Sequence, residues 1–109
     1  MKKKIVSVIL VAAMAVGCLA GCGSKEAKNE DAFYIGGIGP VTGDAAIYGT
    51  AVQNGAQIAV DEINEAGGIN GHQIEYNFQD DQGDPEKAAN AYNTLKDWGM
   101  QVLMGTVTT

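Results

Sequence analysis

The feature that most constrains the fold of this chain is its apolar periodicity, which changes character four times between residues 33 and 104. Phe33-Tyr34-Ile35-Gly36-Gly37-Ile38-Gly39 is a short apolar run closed by Pro40. A run of that length, bounded by Gly and Pro, predicts a buried strand. Residues 45–66 change to a helical spacing: Tyr48, Val52, Gly55 or Ala56, Ala59 and Ile63 recur three and four apart and fall on one face. Gly67-Gly68 ends the pattern, and at least one of the two is expected at positive φ as a C-terminal cap. Ile74, Tyr76 and Phe78 then alternate with Glu75, Asn77 and Gln79. That is the period of a strand with one wet face, suited to a sheet edge. A second helix is predicted from Pro85, with Asp84 as N-cap and Glu86 complementing the dipole. Its inner stripe is Ala88, Tyr92, Leu95 and Trp98 or Gly99, and Gly99 stops it. Val102-Leu103-Met104 is apolar throughout and reads as a third, central strand.

Strands alternating with helices predict an α/β fold with a parallel sheet and right-handed crossovers. One alternating strand and two apolar ones suit the spatial order 2-1-3, the start of a doubly wound sheet. Ligands in such sheets sit beyond the carboxyl ends of the strands, where the order reverses. That crevice would be lined here by the loop after the first strand, residues 39–48, and by residues 105–109 after the third.

The segment before the first strand has a different logic. Lys2-Lys3-Lys4 is followed by sixteen almost wholly apolar residues, Ile5 to Ala20, and then by Gly21-Cys22. A bilayer core of about 30 Å needs about 20 helical residues, so this run is short for a span. A charged start, a short apolar core and small residues before a cut describe a secretory signal, here residues 1–21. Leu19-Ala20-Gly21-Cys22 resembles a bacterial lipoprotein box, which makes Cys22 the acylated first residue of the mature chain. Cys18, after Ala15-Val16-Gly17, is the rival site, and an uncleaved anchor is the plain alternative. Residues 22–32 are polar, with Ala27 and Ala32 the exceptions after the lipidated Cys, and read as a flexible tether. The expected location is the extracytoplasmic face of the cell membrane, periplasmic where an outer membrane is present.

Three of the seven Lys and Arg lie in the signal, leaving four against thirteen acids, a net charge of −9 for the mature 88 residues. An acidic surface repels phosphate backbones, so nucleic acid is not an expected partner. No Cys follows Cys22, which removes a disulfide or a C-x-x-C metal site from the segment. Gly37-Ile38-Gly39 with Gly43 is G-x-G-x-x-x-G, the wrong spacing for a dinucleotide fingerprint, and no Lys follows to make a Walker motif. Asp80-Asp81 read as solvated loop acids, since two or three carboxylates do not supply the six to eight oxygens of a hard cation. His72, the single His, follows Gly71 in a turn and is expected to be exposed. The mature chain has no Ser beyond Ser24, so Ser or Cys nucleophilic catalysis is absent. No enzyme activity, cofactor or metal is expected. Tyr48 lies at the first turn of the first helix, where core and cleft wall are equally open. Val107-Thr108-Thr109 either continue the third strand or offer amides and hydroxyls to a carboxylate.

The strings Ile38-Gly39-Pro40-Val41-Thr42-Gly43, Tyr48-Gly49, Gly55-Ala56, Ala59-Val60-Asp61-Glu62-Ile63-Asn64 and Gly67-Gly68-Ile69-Asn70-Gly71 resemble the branched-chain amino acid binding proteins of ABC importers. Asp80-Asp81, Asp84-Pro85 and Gly105 continue the likeness, which covers nearly all of residues 33–109. The resemblance implies a type I periplasmic-binding-protein fold, in which two α/β lobes close on a ligand by hinge motion. Residues 33–109 would be a truncated part of the first lobe. It further implies Leu, Ile, Val or a similar small amino acid as ligand and a membrane permease as partner. Tyr48 falls where the family places an aromatic contact, and Val107, Thr108 and Thr109 where it places backbone and hydroxyl contacts. A ligand-sensing receptor domain of the same fold, or a non-functional fragment, are the alternatives.

Overall fold

The computed structural model describes residues 28–108; the signal, Cys18, Cys22, the first part of the tether and Thr109 lie outside the described residues. The elements are β1 (Phe33–Gly39), α1 (Ala46–Glu65), β2 (Ile74–Asp80), α2 (Pro85–Trp98) and β3 (Val102–Met104). They form one sheet of order β2-β1-β3. Both pairings are parallel, with Phe33 to Gly39 opposite Ile74 to Asp80, and Ile35 to Gly37 opposite Val102 to Met104. The chain therefore reverses its direction across the sheet after β2. Right-handed crossovers then place α1 and α2 on opposite faces, and the two helices make no contact with each other.

Alternate residues of β1 divide the core between these faces. Tyr34, Gly36 and Ile38 turn toward α2. Ile38 clusters with Ala91 and Leu95, and Trp98 and Met100 close the cluster. The Tyr34 and Trp98 rings meet edge-on with centroids 4.9 Å apart. Gly36 is the point of closest approach: a Cβ there would lie 2.6 Å from Met100 Sδ and 2.9 Å from Leu95 Cδ1. On the opposite face, a Cβ on Gly37 would collide with the Phe78 ring.

The rotation of α1 differs from the expected one. Its least exposed residues are Ala46, Gly49, Gln53, Ala56, Val60 and Asn64, a stripe spaced three, four, three, four, four. Of the predicted inner face, Tyr48 is 65% exposed, and Val52 and Ile63 are each 37% exposed. Two anchors set this rotation. At the N-terminal end the helix rides on Pro40, and a Cβ on Gly49 would collide with the Pro40 carbonyl. At the C-terminal end Asn64 acts as a substitute strand partner. Its Nδ2 donates to Ile74 O at 2.9 Å and its Oδ1 accepts from Ile74 N at 2.7 Å. These two anchors, one steric and one polar, turn the larger apolar residues to the flank and outer surface.

In α2 the buried stripe runs through Ala91 and Leu95, whereas Tyr92 is 46% exposed. The small Ala91 lets the helix approach Ile38, which displaces the larger Tyr92 from the interface. Its ends follow the expected chemistry. Asp84 accepts from Lys87 N at 2.9 Å, and Gly99 caps at φ 99°. Gly67 and Gly68 end α1 at φ 105° and 78°. β3, expected to be central, is an edge of the described sheet, and β1 holds the centre. Val102 is accordingly 58% exposed.

The last tether residues are docked on the domain. Asn29 N donates to Tyr34 Oη at 2.9 Å, Lys28 Nζ lies 4.8 Å from the centre of the Tyr34 ring, and Ala32 is buried. His72 is exposed, as expected, and its Nδ1 donates to Asp31 O at 2.7 Å.

Candidate functional site

Pairing of Gly39 with Asp80 ends β1 and β2 at the same level, and the loops that follow lie side by side. After β1 the chain passes through Pro40, which is fully buried, and turns at Gly43 with φ 84° before entering α1. The start of α1 has no side-chain cap. Its first turn is held by backbone bonds, with Tyr48 N and Gly49 N both donating to Ala45 O. Tyr48 therefore stands on a turn fixed from below by the Gly49–Pro40 contact. Its ring is exposed at the carboxyl edge of the sheet.

The loop after β3 folds back over β1. A Cβ on Gly39 would lie 2.5 Å from Val107 Cγ2, so the absence of a side chain at Gly39 is what lets Val107 seat there. Val107 and Thr108 are half-buried. The structure thus brings the loop after β3 against the end of β1, at the switch point where the sheet order reverses. Thr108 also borders an open groove of about 190 Å³, together with Thr106, Asp81, Gly83, Asp84, Pro85 and Ala88. Tyr48 and Val107 are not among the walls of that groove. Tyr48, at the start of α1, and Val107, against Gly39, belong to the two loops that leave the carboxyl edge of the sheet at its switch point. Thr109 lies outside the described residues.

The acids after β2 are not solvated loop groups. Asp80 is the last residue of β2, and its carboxylate reaches across to the loop after β1. Oδ1 accepts from Val41 N at 2.9 Å and from Gln82 N at 2.9 Å, and Oδ2 accepts from Thr42 Oγ1 at 2.5 Å. Burial pushes the Asp80 carboxyl up. The hydrogen bonds from the Thr42 hydroxyl and from the Val41, Gln82 and Thr42 amides outweigh it and hold the group below its ordinary value of 3.8. Asp81 is only 4% exposed. Its Oδ1 accepts from Gly83 N at 2.8 Å, and its backbone N–H donates to Gly39 O at 3.2 Å. Sequence reasoning missed the reach of Asp80 to Val41 and Thr42 because those partners lie about forty residues away, whereas the bond of Asp81 to Gly83 N is a local turn two residues long. The adjacency appears only once the β1–β2 register is known. Among the described residues, no group of three or more His, Cys, Asp and Glu is placed to hold a metal ion.

A parallel sheet whose order reverses at β1, with the loops after β1 and β3 leaving its carboxyl edge, is an α/β architecture with its switch point at that edge. The chain belongs to the periplasmic binding protein family, whose model matches residues 32–109. It is 46% identical over 74 residues to the Leu/Ile/Val-binding protein BraC3 of Rhizobium johnstonii, a match covering 68% of this chain and 20% of that protein. It is 38% identical over 98 residues to the leucine-, isoleucine-, valine-, threonine- and alanine-binding protein of Pseudomonas aeruginosa, covering 90% of this chain and 25% of the relative. Among solved structures it is similar to the branched-chain amino acid transporter substrate binding protein LivJ of Streptococcus pneumoniae, in complex with isoleucine. That match has a TM-score of 0.65 and 41% identity, over 69% of this chain and 22% of the other. The chain thus spans about a fifth to a quarter of the length of these relatives. These relatives are substrate-binding proteins rather than enzymes.

Proposed function

We propose that this chain forms the opening part of the first lobe of a lipid-anchored, extracytoplasmic solute-binding protein. Its protein captures a small amino acid, Leu, Ile or Val, and delivers it to the permease of an ABC importer. The observation that carries this reading is the seating of Val107 on Gly39 at the carboxyl end of β1, the point where the sheet order reverses. The branched-chain ligands named for the relatives from Rhizobium johnstonii and Pseudomonas aeruginosa, and the isoleucine of the Streptococcus pneumoniae complex, support the ligand class.

Each residue then has a physical task. Tyr48 supplies an apolar wall for the ligand side chain. The backbone around Val107 and the hydroxyls of Thr108 and Thr109 satisfy the ligand carboxylate, which in a closed site must keep its hydrogen bonds. No bond is made or broken. Cys22 carries the acyl anchor, and the tether holds the lobe at the outer surface of the membrane. Equilibrium dialysis of the intact protein against labelled leucine tests the reading. Retention that is saturable and displaced by isoleucine and valine is the expected result; failure to retain any of the three contradicts it.

A further inference from the structure

We propose that Asp80 is a positioning residue for ligand capture: its carboxylate fixes the loop between β1 and α1 in the shape that presents Tyr48 to the crevice. The proposal rests on the binding function above. The loop has few holds of its own. Gly43 turns it at positive φ, Ala45 offers no cap to α1, and Thr42 and Asp44 are exposed. Below it, Pro40 is pinned by the first turn of α1 at Gly49. Between these points, the side chain that holds it is Asp80, through Val41 N and Thr42 Oγ1.

The same carboxylate accepts from Gln82 N, so one anionic group joins the loops after β1 and β2. Bonds to an ionised acceptor are about twice as strong as neutral ones. The carboxyl is held below its ordinary range by those same donors, which shows that they favour the charged form. Asp80 is not among the walls of the groove beside Thr108, whose acidic residues are Asp81 and Asp84. Its influence on a ligand passes through the loop. An ordered loop lowers the cost of ordering Tyr48 on binding, and affinity rises by the cost avoided.

The test uses the intact protein as wild type, Asp80→Asn, Thr42→Val and Thr42→Ser. Two quantities are read: hydrogen exchange of the segment 41–48 without ligand, and leucine affinity by calorimetry. Asp80→Asn and Thr42→Val are expected to speed exchange in segment 41–48 while β2 and the middle of α1 keep their protection. Each is expected to weaken leucine binding about tenfold, the loss of one charge-assisted bond. Thr42→Ser, which keeps the hydroxyl, should retain wild-type behaviour in both. Should Asp80→Asn fail to fold, Thr42→Val carries the test alone. Unchanged exchange in segment 41–48, or a loosened loop with undiminished leucine affinity, overturns the proposal. If wild-type protein ignores leucine, the amino-acid reading fails by itself. Exchange then decides the clamp, and unchanged exchange overturns it.

Discussion

Gly49 shows how a missing side chain can set a whole helix. Its Cα is turned onto the Pro40 carbonyl, so any Cβ must displace either α1 or the buried Pro40. Gly49→Ala is therefore expected to destabilise the domain by roughly 1–3 kcal/mol, the usual cost of overpacking. Gly55, in the same helix, has nothing within 4 Å of its Cβ position. Gly55→Ala should stabilise by about 0.5–1 kcal/mol through helix propensity alone. Denaturant titration of the pair checks both signs, and equal effects would refute the account. Asp80 gives a pH dependence with a definite sign. Its carboxyl is lowered in the fold, so it adds stability above about pH 4 that is lost as pH falls through the lowered value. Urea denaturation at a series of pH values should show wild-type stability falling more steeply below pH ~4 than that of Asp80→Asn. Parallel curves would show that the carboxylate contributes nothing.

At the scale of elements, the boundaries were legible and the rotations were not. Asp84-Pro85 and Gly99 bracket α2 by local chemistry, and the structure agrees to the residue. The period-two pattern of Ile74, Tyr76 and Phe78 marked β2 as an edge, and it is an edge of the described sheet. The inner face of each helix was another matter, because apolar spacing says which residues align and not which aligned set meets the sheet. In α1 the contact stripe includes Gly49, Gln53 and Asn64, whose value lies in close approach and hydrogen bonding. Hydrophobicity alone passes over them in favour of Tyr48, Val52 and Ile63. In α2 the corresponding error exchanged Tyr92 for Ala91. The difference is measurable. Leu95 is fully buried, and Leu95→Ala should cost about 2–5 kcal/mol, whereas Tyr92→Ala, at a half-exposed position, should cost under about 1 kcal/mol. A large loss from Tyr92→Ala would restore the stripe expected from the sequence.

At the scale of the molecule, the order β2-β1-β3 followed from the strand patterns, and it fixes where a ligand can sit. The two loops of the crevice come together through Gly39, whose bare Cα admits Val107. That contact joins residues almost seventy positions apart and has no signature in either stretch of sequence. The proposed placement of the protein at the membrane rests on the sequence of residues 1–22. Cys22→Ala is expected to move the protein from the membrane fraction to the soluble one, as seen by immunoblotting of fractionated cells. Release by Cys18→Ala in its place would move the lipidation site.

The central claim is that the ligand is held between the loops after β1 and β3, with Tyr48 as its wall. Calorimetric titration of leucine into intact wild type and Tyr48→Ala, with thermal melts of both, tests it most directly. Because the Tyr48 ring is largely exposed in the described lobe, the account predicts nearly equal melting temperatures without ligand and an affinity at least about tenfold weaker in the variant. Equal affinities, or a variant that loses its fold before it loses its ligand, would contradict it.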